Sequence, residues 1–159
     1  MRKTLVLLIC VLLAGCVNDT ASFYIDGRDH ALSLRRQQAY FWQSQADIAL
    51  VAARLPECQR QHPLGGAALD DLKVELFDAG DGLWNVRMDK RLWQIETEKC
   101  TGLTELEYDP KTDLGRPVGA FVVEDGKLIF EAAPAGPAEA TPAGAAPAGA
   151  APAGAAPAQ

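Results

Sequence analysis

The chain has 159 residues, and 21 acidic against 15 basic residues give it a formal net charge of −6. This acidic balance argues against binding to nucleic acid or to anionic lipid headgroups, because both attract positive charge. The length allows one small domain with one hydrophobic core between two compositionally biased ends.

The N-terminus has the organisation of a secretory signal. Two basic residues precede the apolar run 4–13, and the small residues Ala14 and Gly15 follow it. This order is typical of a signal peptide. The run has about half of the roughly 20 apolar residues that a membrane-spanning helix needs. We therefore predict a signal peptide at residues 1–15.

The segment Leu13-Ala14-Gly15-Cys16 resembles the lipobox of bacterial lipoproteins, over residues 1–16 alone. The resemblance implies cleavage before Cys16, a diacylglycerol on its thiol and a fatty acid such as palmitate on the new amine. Several acyl chains anchor durably, whereas one binds only marginally. Val17 stands where an Asp often retains such proteins at the inner membrane. The resemblance thus implies an outer-membrane lipoprotein that faces the periplasm.

Of the four cysteines, the predicted processing leaves two free to pair. One is removed with the signal, and Cys16 carries lipid. Cys58 and Cys100 remain in an oxidising compartment, where an even pair favours a disulfide. A metal site that used Cys58 and His62 would need further ligands, and only one other histidine is present. We predict the disulfide and no metal site.

Composition divides the mature chain into three parts. Residues 16–22 are short and polar, which predicts a lipidated tether, and residues 23–132 form the single stretch able to fold. Residues 133–159 repeat Pro-Ala-Gly-Ala-Ala and have almost no side chains to bury. We predict a disordered tail with polyproline II character.

Alternation of apolar and polar residues predicts strands in the later part of the domain. It occurs at residues 72–76, 83–88 and 93–97. Two more apolar runs, 120–123 and 127–130, flank Asp125-Gly126. Asp-Gly at this spacing is typical of a hairpin turn, because both central residues need positive φ.

The first third of the domain is ambiguous. Residues 35–54 are rich in helix formers, yet the apolar run at 48–55 suits a buried strand equally well. We predict two strands, at 30–39 and 47–60. The fold is then mainly β, a small antiparallel sandwich or half-open barrel of about six to seven strands. The alternative is an α+β fold with a helix within residues 35–54.

Three consecutive aromatic residues, Tyr40, Phe41 and Trp42, form the most unusual local feature. On a strand they cannot all face one core, because alternate side chains point to opposite faces. An exposed aromatic patch often marks an interaction site. We therefore treat these residues as a possible interaction patch, with burial under another element as the alternative.

Basic residues surround Cys58. If residues 54–62 are extended, even spacing places Arg54, Arg60 and His62 on the face of Cys58. Such a face is a possible anion site, and the alternative is pairing with the many carboxylates of the chain. The loop carboxylates Asp78, Asp81, Asp109 and Asp113 lack EF-hand spacing, and we assign them to turns.

No motif of a catalytic nucleophile or phosphate-binding loop occurs, so we predict no catalytic residue and no cofactor. The anchor, the small domain and the tail favour a lipid-anchored binding or structural module for another envelope component, a protein or peptidoglycan. A small-ligand-binding or enzyme-inhibitor lipoprotein is the alternative. A carboxylate-based hydrolase would require two acidic side chains to meet in a cleft.

Overall fold

The computed structural model describes residues 17–134, and its regular elements there are all β-strands. The predicted signal peptide, the lipobox with Cys16, and the tail beyond residue 134 lie outside the described residues. Between residues 17 and 134 the structure contains no helix that is long and apolar enough to cross a bilayer.

Ten strands within residues 17–134 form two antiparallel sheets. The first sheet has the order β1-β2-β3-β4. Its strands are β1 (Asn18–Asp26), β2 (His30–Gln37), β3 (Gln45–Arg54) and β4 (Cys58–Ala68). The second sheet has the order β10-β9-β5-β6-β7-β8. Its strands are β5 (Lys73–Gly80), β6 (Leu83–Met88), β7 (Arg91–Glu96), β8 (Thr104–Leu106), β9 (Arg116–Glu124) and β10 (Lys127–Ala132).

The core lies between the two sheets, where the inner residues of each strand meet. In β3, Ile48, Leu50 and Ala52 are almost completely buried and alternate with less buried neighbours. The second sheet contributes Val74, Leu76, Val86, Ile95 and Phe121 to the same cluster. A fully buried side chain of this kind contributes about 1.5–3 kcal/mol. The packing of two apolar faces therefore stabilises the sandwich.

The structure confirms the mainly β sandwich and contains no helix within residues 35–54. The helix-forming composition is overridden because both β2 and β3 are paired on two sides in their sheet. The described part of the chain has ten strands rather than the predicted six or seven. The predicted strand 47–60 is interrupted by a turn at residues 55–57, and β4 begins after it.

Residues 18–22, which we assigned to the tether, belong to β1. This strand is polar where it begins, and its register places Asn18 opposite Gln37 and Ser22 opposite Ser33. β1 is an edge strand of its sheet, and an edge strand tolerates polar residues on its outer face. Composition alone therefore understated the length of the folded domain.

The strands define two ends of the sandwich. At one end, which we call the Val17 end, lie the β2–β3 loop and the turns that follow β4, β6 and β9. A hydrogen bond from the Leu69 amide to the Ser44 carbonyl links the turn after β4 to the β2–β3 loop, and one from Arg36 to the Gly126 carbonyl links β2 to the turn after β9. The opposite end carries the β1–β2 and β3–β4 turns and Cys100.

The two sheets are linked along both sides. On one side β1 lies against β10, and Asp19 accepts a hydrogen bond from the Leu128 amide at 2.8 Å. On the other side Cys58 of β4 forms the predicted disulfide with Cys100, with an S–S distance of 2.08 Å. The disulfide joins the first sheet to the loop between β7 and β8 of the second.

Candidate functional sites

Tyr40, Phe41 and Trp42 form an exposed cluster in the β2–β3 loop. Their exposed fractions are 54%, 62% and 68%. Tyr40 stacks on Trp42 with ring centroids 5.0 Å apart, and Phe41 meets Trp42 edge-on at 4.7 Å. The rings thus contact one another rather than the core. Burial of all three under another element, the alternative reading of this segment, is not observed.

Gln38 holds this aromatic cluster in place. Its side chain is 7% exposed, and its Nε2 donates to the Gln43 carbonyl at 2.6 Å and to the Phe41 carbonyl at 3.5 Å. The Oε1 atom of Gln38 accepts a hydrogen bond from the Val17 backbone amide at 3.2 Å, and the backbone amide of Gln38 donates to the Val17 carbonyl at 2.8 Å. The buried side chain of Gln38 therefore links the β2–β3 loop to Val17, the residue that follows Cys16.

A cleft of about 320 Å³ opens beside Trp42. Its other lining residues are polar or small, among them Gln43, Gln45 and Asp47. Ligand pockets are usually lined by apolar and aromatic side chains with few polar groups. This cleft has one aromatic wall and suits a polar ligand group better than a large apolar one.

The predicted basic face exists, but it is formed by a hairpin. Residues 54–62 are not one extended segment, because the turn at 55–57 reverses the chain. Arg54 lies directly opposite Cys58, and Arg60 and His62 follow at even spacing on β4. Opposite residues of an antiparallel pair share a face. The structure therefore brings the three predicted residues to one face by a route that the sequence pattern did not indicate.

His30 joins this face from β2, where it lies opposite Arg54. The face is the inner one, because Arg60 and His62 lie opposite the buried Ala52 and Leu50. Sequence reasoning missed His30 as a member, since only the strand register relates it to Arg54. We call His30, Arg54, Arg60 and His62 the basic face.

Within residues 17–134, neither Arg54 nor Arg60 has a carboxylate within ion-pair distance. The Nε2 atoms of His30 and His62 are buried, with no hydrogen-bond partner in the same part of the chain. Burial lowers the pKa of His62, and the charge of Arg60 lowers it further. The arginines thus supply the positive charge, and neutral His62 supplies a polar nitrogen.

Three of the four loop carboxylates accept hydrogen bonds from nearby backbone amides. Asp78 Oδ1 accepts from the Gly80 amide, and Asp109 and Asp113 accept from amides two residues ahead. A hydrogen bond from Arg116 and the bond from Gly80 hold the pKa of Asp78 below its usual value. No group of three potential metal ligands occurs among the described residues.

Two glutamates border a second cleft, of about 290 Å³, on the second sheet. Glu75 and Glu131 both lie opposite Ala120, one on each side of β9. Burial alone would raise the pKa of Glu75, but hydrogen bonds and charge from Arg87 and Lys73 leave it lowered. A glycosidase-type pair needs one carboxyl with a raised pKa to act as an acid. Glu75 does not provide it.

No family model, curated protein or solved structure matches this chain. The assignment of a function therefore rests on the residues and their geometry.

Proposed function

We propose that the protein is a lipid-anchored binding module of the outer membrane that faces the periplasm and takes no part in catalysis. The lipobox resemblance supports the anchor. The observation that carries the binding proposal is the basic face, whose two arginines have no carboxylate within ion-pair distance among residues 17–134 although the chain has an excess of carboxylates. Its partner is an anionic group on another envelope component, a protein or peptidoglycan.

The geometry of the basic face supports binding of such a group. Arg54 and Arg60 are diagonal neighbours on adjacent strands, and diagonal Cα atoms are roughly 7–8 Å apart. Two guanidinium groups at that spacing can share one carboxylate or phosphate, because arginine side chains are long and each offers several donors. The buried nitrogens of His30 and His62 add polar contacts at the same face.

Position relative to the anchor favours the same proposal. His30 and Gln37 are the ends of β2, about 24 Å apart at the rise of an antiparallel strand. Arg54 lies beside His30 and the aromatic cluster beyond Gln37. The basic face therefore lies near the end of the domain away from residue 17, where a component of the periplasm can reach it.

The test is recovery of a partner from envelope membranes with the full lipidated protein. We expect a specific crosslinked partner that the Arg54→Gln/Arg60→Gln variant loses. The matched control is Lys90→Gln/Lys127→Gln, which removes two exposed charges at the Val17 end and should retain the partner. Equal recovery by both variants would reject the basic face, and mass spectrometry of an unmodified Cys16 peptide would reject the anchor.

The cleft beside Trp42 favours a second candidate, a small-ligand-binding lipoprotein. A polar ligand in this cleft would contact Trp42 and Asp47. A ligand that co-purifies with the wild type but not with Asp47→Ala would support this function over the first.

A further inference from the structure

We propose that the aromatic cluster inserts into the headgroup region of the same bilayer that holds the acyl chains of Cys16, and so fixes the orientation of the sandwich on the membrane. This inference rests on the proposed lipid anchor and names a second contact with that membrane. It assigns Tyr40, Phe41 and Trp42 a lipid surface as their partner.

The first argument is distance. Val17 exchanges two hydrogen bonds with Gln38, and Gln38 also binds the Phe41 and Gln43 carbonyls. The Cα of residue 16 is about 3.8 Å from that of residue 17 across a trans peptide bond. β1 begins at Asn18, two residues after the one that would carry the lipid. Whatever surface holds the lipid lies next to this loop.

The second argument is the chemistry of the rings. Tyr and Trp concentrate at membrane–water interfaces, because each has an apolar body and a polar tip. The three rings are more than half exposed, and they are already ordered by their contacts with one another. An ordered cluster loses little conformational freedom when it enters the interface. Amphipathic elements of this kind reach about 5–10 Å into the headgroup boundary.

The third argument concerns charge at the Val17 end. The turns there carry five carboxylates and two lysines, namely Asp70, Asp71, Asp89, Glu124, Asp125, Lys90 and Lys127. This balance does not attract anionic headgroups. The contact with the membrane therefore depends on the rings, and we expect it to form on zwitterionic lipid and to be insensitive to salt.

Tryptophan fluorescence of the full lipidated protein in phosphatidylcholine vesicles tests the inference. Trp42 is 68% exposed, whereas Trp84 and Trp93 are 6% and 2% exposed, so Trp42 dominates any response to added quenchers. We expect brominated acyl chains to quench its emission and iodide to reach it poorly. Trp42→Phe should remove the quenching by brominated lipid.

The control carries its reporter elsewhere. Tyr24 is 59% exposed on β1, near the opposite end of the sandwich. In the Trp42→Phe background, the tryptophan of Tyr24→Trp should remain open to iodide and out of reach of brominated chains. Equal iodide access at both positions in the anchored protein would overturn the inference.

Two other outcomes would also overturn it. Protection of Trp42 from iodide without quenching by brominated lipid would mean that a second copy of the chain, and not lipid, covers the cluster. A Cys16 peptide without diacylglycerol would reject the anchor itself. Lipidated protein with water-exposed Trp42 would reject only the aromatic contact and leave the proposed function intact.

Discussion

Arg36 and Asp19 form a two-point ion pair in which the arginine is buried and the carboxylate, on the edge strand β1, is partly exposed. Arg36 is 1% exposed, and its Nε and Nη2 donate to the two oxygens of Asp19 at 2.9 and 2.7 Å. Its guanidinium also donates to the carbonyls of Leu69 and Gly126. One side chain of β2 therefore binds β1, the loop after β4 and the β9–β10 turn.

Loss of this ion pair should lower the free energy of unfolding. Removal of one partner of a buried ion pair leaves an uncompensated charge, at about 3–5 kcal/mol. We expect Asp19→Ala to lower the free energy of unfolding by about 3 kcal/mol, measured by urea denaturation of the unlipidated Cys16→Ala protein. The control is Arg116→Ala, which breaks the pair of an exposed arginine with Asp78 and leaves the hydrogen bond from the Gly80 amide to Asp78 in place. A loss below about 1 kcal/mol is expected there, and equal losses in the two variants would contradict the assigned role.

The same pair predicts a dependence of stability on pH. Burial alone raises the pKa of Asp19, but hydrogen bonds from Arg36 and the Leu128 amide, with the charge of Arg36, leave it below its usual value. The ionised carboxylate of Asp19 therefore contributes to the free energy of unfolding at pH values above its pKa in the unfolded chain, which is about 3.9. This contribution is lost as the pH falls through the lower pKa of the folded protein. The difference in unfolding free energy between wild type and Asp19→Asn should therefore narrow below about pH 4. A difference that stays constant down to pH 2.5 would refute the linkage.

Removal of the disulfide should also destabilise the sandwich. Cys58 and Cys100 are 42 residues apart, and the chain-entropy model assigns a loop of that length about 4 kcal/mol. We expect Cys58→Ala/Cys100→Ala to unfold at lower urea concentration. Added reductant should shift the wild type toward the variant and leave the variant itself unchanged.

We expect Gln38 to position the aromatic cluster as well as to stabilise the domain. Gln38→Ala leaves the Val17 amide and the Gln43 carbonyl without their partner, at about 1–3 kcal/mol if both stay buried. We expect faster amide hydrogen exchange in residues 38–44 and a lower fluorescence anisotropy of Trp42. Gln61→Ala, an exposed glutamine on β4, is the control and should change neither signal.

The pKa of His62 offers a probe of the basic face. Burial is the larger cause of its lowered pKa, and Arg60 is the second. Arg60→Gln should therefore raise the pKa of His62 part of the way to its usual value, as measured by NMR titration of the two histidines of the chain. Arg54→Gln serves as the matched charge loss and should leave the pKa of His62 in place.

Local pattern predicted the later strands, because alternation and turn chemistry act within a few residues. The β9–β10 turn has positive φ at both Asp125 and Gly126, as the Asp-Gly dipeptide indicated. The sequence did not predict most of β4, because Pro63, Gly65 and Gly66 interrupt any alternation of apolar and polar residues on this edge strand. Its pairing with β3 is a property of the hairpin rather than of its own residues.

The candidate sites also differ in how far local sequence could predict them. The aromatic cluster was visible in sequence, since three adjacent rings cannot share one inner face. The roles of Gln38 and Arg36 were not visible, because their partners Val17, Leu69 and Gly126 lie 21, 33 and 90 residues away. Neither residue type signals a buried position on its own.

The two lateral links of the sandwich respond to different chemistry. The Cys58–Cys100 bond is broken by reductants and is indifferent to mild acid, whereas the Arg36–Asp19 pair weakens on protonation of the carboxylate and is indifferent to thiols. Reduction thus removes only the link on the β4 side, whereas acid weakens the link where β1 meets β10 together with the ion pairs of Glu75 and Asp78. Reduction and acidification should therefore destabilise the domain through separate contacts, and their effects on the free energy of unfolding should add.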